Sequence, residues 1–346
     1  MKKQPYIKRI REELDNVLVN GRLTEEGVDK LLNTREIFFN IWGLSYQNVK
    51  DVDFSKLSPD YINKIPFSSS TVFDEKKLPE FFKPEAILKD NKKSVFRDIN
   101  VDDSDVCMAI IDNPSQFYLH EEFAGIMAKL VDFSAKDDQT HFHTDGVLSN
   151  VCGVNLGFAK KAKFIVYTIE WAKRAESHMK ALEDILKRIK GGQKIQVVSI
   201  SNQLVEAKIK GSILEQKIMK TVSKLKEFNC EVVDSSKFLQ SGFAGTYCPI
   251  LQDIDDIDSW LYSFGIPNGL GVQTTKLTPE FGSKNGYSTK YLGGISWAIP
   301  IVSFFYALCS SRDDSMNFDN FAKSCEKHTV TNKNGVRIVN FKDMLK

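Results

Sequence analysis

The sequence has almost no excess of charge: 47 lysines and arginines stand against 45 aspartates and glutamates in 346 residues, a formal net charge of +2 at pH 7. Lysines are spread along the whole length, so no basic footprint for nucleic acid or an acidic membrane stands out, and neither is an expected partner. CxxC pairs are absent. The six cysteines (Cys107, Cys152, Cys230, Cys248, Cys309 and Cys325) are far apart in mostly apolar surroundings, which predicts reduced cysteines in a core. Long apolar runs are also missing. The longest, ISWAIPIVSFFYALC, is too short to span a bilayer and contains a proline, so it reads as a buried helix. The N-terminal MKKQPYIKRIREELDNVL starts basic but places Arg, Glu and Asp where a signal peptide needs an apolar stretch. The expectation is a cytoplasmic protein. No internal repeat or low-complexity tract is visible.

What remains is a globular composition, 42% apolar and 27% charged, on a chain long enough for one large α/β domain with an accessory segment. Two segments near the start, PYIKRIREELDNVLV and EEGVDKLLNTREIFFNIWGL, have helical apolar spacing. A Ser/Pro/Asp/Lys-rich stretch with four prolines follows, so residues 1–95 are read as a helical extension and connector. Residues 96–346 form the main domain. There, short β-rich runs at 106–112, 163–169, 195–201 and 230–234 alternate with two long amphipathic segments, IEWAKRAESHMKALEDILKRIKGG and GSILEQKIMKTVSKLKEF. Strand, helix, strand is the pattern of right-handed crossovers and a mainly parallel sheet, whose ligands gather beyond the carboxyl ends of the strands.

Three positions carry chemistry. Asp112 ends an apolar strand just before Asn-Pro. Ser296 follows Gly293-Gly294 at the head of an apolar helix, with Pro300 expected in its first turn; the unpaired N–H groups there can stabilise an oxyanion. His143 sits in THFHTDGVLSNVCG, which supports two readings. His141, His143 and Asp145 make a His-x-His-x-Asp zinc half-site, although Gly146 stands where the metallo-β-lactamase-like pattern needs another histidine. Otherwise His143 is a general base. His178 and His328 are the only downstream histidines, and His178, mid-helix among polar residues, is expected to be exposed. Asp145 and the Asp137-Asp138 pair read as solvated loop charges. The loop Gly269-Leu-Gly271 lacks the strand and helix of a phosphate site.

Around each of the three positions the sequence resembles the subtilisin-like serine proteases. MAIID resembles the strand leading to the family's aspartate. His143, Val147 and Gly153 fall where its histidine motif has His, Val and Gly, and GFAKKAKFIVY is similar to the segment after it. GGISWAIPIVSFFYAL is similar to GTSMAAPxVAGxxAL at Gly294, Ser296, Ala298, Pro300 and Val302. The order Asp, His, Ser is the subtilisin order.

The resemblance, from roughly residue 100 to 312, implies the subtilisin-like α/β fold, a mainly parallel central sheet with helices on both faces. It implies peptide-bond hydrolysis with Ser296 as nucleophile, His143 as general base and Asp112 orienting it. VVSISNQ resembles the strand bordering the family's substrate groove, which assigns Ser201, Asn202 and Gln203 to substrate binding and a peptide or protein as partner. No cofactor is expected; the family often binds calcium, but no ligand cluster is evident.

There are departures. Thr144-Asp145 replaces the Gly-Thr after the histidine, and Asn202-Gln203 replaces the residues that follow the serine of the groove. After CEVVD comes SSKFLQSGF, without the asparagine that usually completes the oxyanion hole; Ser235, Ser236, Gln240 and Asn268 are possible substitutes. A catalytically weak or inactive peptide-binding protein is therefore the first alternative, and a zinc-dependent hydrolase the second.

Overall fold

A computed structural model describes residues 94–345 apart from 136–137, 139, 249–252, 263–268 and 289–293, together with residues 87–88 and the backbone of a small antiparallel ribbon, Leu18–Val19 with Arg22–Leu23. The predicted helical extension and connector lie almost wholly outside the described residues.

The central sheet is five-stranded and entirely parallel. Its strands are β1 (Cys107–Asp112), β2 (Met127–Phe133), β3 (Lys163–Ile169), β4 (Val197–Ile200) and β5 (Glu231–Val233), in the order β2-β3-β1-β4-β5. β1 is central and buried throughout. Its residues alternate between two cores, as strand geometry requires. Cys107, Ala109 and Ile111 pack under α2 (Arg174–Lys190) and α3 (Ile213–Glu227). Met108 and Ile110 face α1 (Phe142–Ser149) and α5 (Ile295–Arg312). Between α3 and α5 lie β5, the short helix α4 (Ser235–Gln240) and a second sheet. That sheet is built from β6 (Phe243–Tyr247), β7 (Leu261–Tyr262) and β8 (Leu270–Val272), completed by the later strands β11 (Thr329–Thr331) and β12 (Arg337–Val339). The hairpin β9 (Thr278–Pro279) and β10 (Tyr287–Ser288) precedes α5, and α6 (Phe318–Lys327) follows it. The chain is an α/β fold with a parallel central sheet covered on both faces.

Two sequence expectations change. His178 is fully buried on α2, because Ala175, His178, Met179, Leu182, Ile185 and Leu186 share the inward stripe of an amphipathic helix. Burial, with Arg174 nearby, pushes its imidazole down to about 4, so it is neutral. Gly271 is a residue of β8 and not of a loop. It is needed for close approach, since a Cβ there would lie 2.7 Å from Thr246 Cγ2.

α5 is long and apolar enough to cross a membrane, but it is the core helix of this fold, walled by both sheets and by aromatic rings. Phe305 stacks on Phe341 of the short C-terminal helix, with ring centroids 4.1 Å apart, and on Phe158 at 5.2 Å. Replacing Phe305 with alanine opens a cavity where three chain segments meet. The expected loss is about 3–5 kcal/mol of unfolding free energy, read from urea denaturation.

Candidate active site

Asp112 is the last residue of β1 and is fully buried. Period-2 alternation turns its side chain to the α1 face rather than out over the sheet edge. A buried carboxylate needs donors, and its Oδ1 has them. The backbone N–H of Asn113 donates at 2.7 Å and His143 Nδ1 at 2.8 Å, while Thr144 Oγ1 lies at 3.3 Å. Thr144 also donates to the carbonyl of Asn113 at 2.7 Å. The residue that departs from the family's glycine thus ties α1 to the end of β1.

His143 occupies the first turn of α1, whose N-cap is His141, with Nδ1 accepting from the His143 backbone N–H at 3.2 Å. The carboxylate partner fixes the proton on Nδ1 and leaves Nε2 as an acceptor with no hydrogen bond among the described residues. Burial opposes the imidazolium form, but the charge and hydrogen bond of Asp112 outweigh it, so the His143 pKa is held above its ordinary value. His141, by contrast, is held below it by burial and by the nearby His143. The ring of Trp297 lies against His143, centroids 5.2 Å apart. Gly146 makes the room: a Cβ there would lie 3.0 Å from the indole. The steric allowance expected from a glycine directly after the histidine is supplied three residues later.

Ser296 is the second residue of α5. Gly294, the N-cap, has φ 111° and ψ 155°, a conformation that only glycine adopts without strain. Pro300 is the sixth residue of the helix, one turn later than the sequence suggested. It has no N–H to return to the carbonyl of Ser296 four residues earlier. Ser201, just past the end of β4, fills that vacancy, donating from Oγ to Ser296 O at 2.9 Å, and Ser296 Oγ donates back to Ser201 O at 3.2 Å. The structure therefore joins Asp112 to His143 directly and brings the helix bearing Ser296 against His143 through Trp297. The Ser296 hydroxyl itself is turned to Ser201.

Asn202 is half-buried and Gln203 exposed, and the Asn202 carbonyl accepts from Ser235 N at 3.1 Å. At the end of β5, Asp234 stands where a carboxamide was sought. Its carboxylate is committed to the N–H groups of Lys237 at 2.8 Å and Leu204 at 3.0 Å. Ser235 and Ser236 begin α4, Gln240 is exposed at its far end, and Asn268 and Asp137 lie outside the described residues. Asp138 accepts from Ala135 N at 2.8 Å.

Asp145, expected to be solvated, is buried on α1, where its Oδ1 accepts from Ser115 Oγ at 2.5 Å. Burial pushes its carboxyl up to about 6; the Ser115 hydrogen bond opposes this and the charge of Asp112 adds to it. His141, His143 and Asp145 thus have separate partners, and among the described residues no three metal-binding side chains converge. Sequence reasoning missed Thr144, Trp297 and the role of Ser201 toward Ser296. For Trp297 the available signal was its place between Ser296 and Pro300, on a helix destined for the core.

In NMR titration the His143 ring is expected to titrate above 6.5 in the wild type. Asp112→Asn is expected to move the midpoint down, because removing the carboxylate leaves burial unopposed.

A scan against protein-family models finds no match, and no curated protein matches the sequence. Solved structures similar to the chain are subtilisin-like proteases. The self-cleaved protease domain of PatA has a TM-score of 0.47 at 18% identity, covering 70% of this chain and 96% of its own. The PatG macrocyclase domain has 0.47 at 13% identity, covering 77% and 95%. Sphericase has 0.45 at 12% identity, covering 65% and 83%.

Proposed function

We propose that the chain is a serine endopeptidase in which Ser296 is the nucleophile, His143 the general base and Asp112 the group that orients His143. The observation that carries this reading is the His143 ring: Nδ1 is bound to a buried carboxylate and Nε2 has no hydrogen bond among the described residues, beside the helix whose second residue is Ser296. A histidine so held is an oriented base rather than a packing residue.

In the reaction, Ser296 Oγ leaves the Ser201 carbonyl, gives its proton to His143 Nε2 and attacks the scissile carbonyl. The tetrahedral oxyanion forms at the start of α5, beside the Ser296 N–H, which precedes the first bond of the helix, Trp297 N to the Gly294 carbonyl at 3.3 Å. His143 then protonates the leaving amine, and water resolves the acyl-enzyme by the same route. The Asp112 carboxylate orients the ring and stabilises the imidazolium. Ser201 holds the Ser296 backbone, and Asn202 and Gln203 border the groove, with Gln203 the most accessible to a peptide.

A second reading, a peptide-binding protein with little turnover, is favoured by Asp234 at the end of β5. A subtilisin that loses its carboxamide donor loses about 10²- to 10³-fold in kcat. Slow hydrolysis is therefore expected even in the first reading.

Labelling with a fluorophosphonate probe separates the two. Wild type is expected to label covalently at Ser296, and Ser296→Ala and His143→Ala are not. Labelling should be unchanged by a zinc chelator and should rise with pH along a limb set by deprotonation of His143. Absence of labelling in wild type supports the binding reading.

A further inference from the structure

A cavity of about 360 Å³ that the mechanism does not use borders α1, the helix that carries His143. It opens between the loop after β1, the start of α1 and the β9–β10 hairpin. Its polar wall holds Asp145, Thr140 and His120, and its rim holds Leu119, Phe281 and Lys284. The volume is within the usual range for ligand pockets. Its position ties it to the catalytic centre through the chain itself. Asp145 is two residues after His143, and Ser115 is three after Asp112.

Asp145 is the informative group. Only 8% of the residue is exposed, and among the described residues no lysine, arginine or histidine is ion-paired with it. Among the described residues the one hydrogen bond to its side chain comes from the Ser115 hydroxyl, which itself accepts from Phe117 N at 2.9 Å. One neutral donor does not offset the burial of a carboxylate, and this is why its affinity for a proton is raised. Both ring nitrogens of His120 are committed elsewhere. Its Nδ1 accepts from Glu122 N at 3.0 Å, and Nε2 donates to the Gly286 carbonyl at 2.7 Å. Lys284 is at the exposed rim. The rim also presents apolar surface to water, with Leu119 55% and Phe281 52% exposed. A carboxylate at depth behind an apolar rim complements a long aliphatic stem ending in a cation.

Resting on the serine-peptidase reading, we propose that this cavity is a substrate subsite in which Asp145 receives the lysine or arginine side chain of a peptide at a fixed position near the scissile bond. The stem lies against Leu119 and Phe281, and the ammonium or guanidinium donates to the Asp145 carboxylate. Asp145 is then a specificity-determining residue and takes no part in bond breaking.

The test uses N-acetylated fluorescent peptides in which lysine, norleucine or glutamate is placed at each position in turn. Their affinities are measured for Ser296→Ala and for Ser296→Ala with Asp145→Asn, so that binding is read without turnover. Asparagine keeps an acceptor for Ser115, and a thermal melt checks that the fold is retained. Lysine at one position is expected to bind at least about 10-fold tighter than norleucine there, and Asp145→Asn is expected to bring that ratio close to 1. Lys284→Met is expected to widen the ratio, because it removes a competing cation from the rim. No lysine preference at any position, or a preference that survives Asp145→Asn in a folded protein, overturns the subsite. Cleavage of the same peptides by the enzyme with Ser296 intact is scored separately. Lysine-dependent binding without cleavage leaves the subsite standing and overturns the peptidase reading; cleavage without lysine preference does the reverse.

Discussion

The site depends on one carboxylate placed where water cannot reach it. Asp112 is fully buried at the end of the central strand, where a carboxylate needs hydrogen-bond donors. Two reach its Oδ1, the next peptide N–H and His143 Nδ1, while the Thr144 hydroxyl binds the adjacent Asn113 carbonyl. His143 and Thr144 both belong to α1, so the same bonds dock that helix and choose the tautomer of its histidine. The stability of this corner and the basicity of His143 have one cause.

The second constraint is a hydrogen bond that a proline leaves unmade. Pro300 frees the carbonyl of Ser296, and Ser201 takes it, linking the first turn of α5 to the end of β4. β4 is hydrogen-bonded to β1, which carries Asp112. Ser296 is thereby tied to the end of the strand next to the one that carries Asp112, with Trp297 packed against His143. Gly294 allows the chain to enter the helix at the required angle.

Four strands of the central sheet, both long helices on one face and the apolar α5 were legible because each is a local pattern of spacing and stop signals. β2 was not: MAKLVDF alternates half-exposed and exposed residues at a sheet edge, and only its pairing with β3 makes it a strand. The second sheet was missed for a related reason, since Leu270 and Gly271 pair with Arg337 and Ile338 across more than sixty residues of chain. Among the candidate site residues, Asp112 and Ser296 could be read because they stand where an apolar run ends or begins, whereas His143 is picked out by the likeness of its surroundings to the family's histidine motif. Asp145 could not, because a carboxylate in a polar run looks solvated until the loop after β1 covers it. His178 was within reach of sequence reasoning, since its spacing from Ala175 and Leu182 places it on the inward stripe.

The central claim is that Ser296 and His143 act as one unit, and the most direct measurement is peptide hydrolysis by Ser296→Ala, His143→Ala and the double variant, each compared with wild type. In the proposed reaction every step of His143 runs through the Ser296 acyl route, so the double variant is expected to be no slower than either single one. Losses that multiply, or a Ser296→Ala variant that keeps wild-type turnover, would contradict the account.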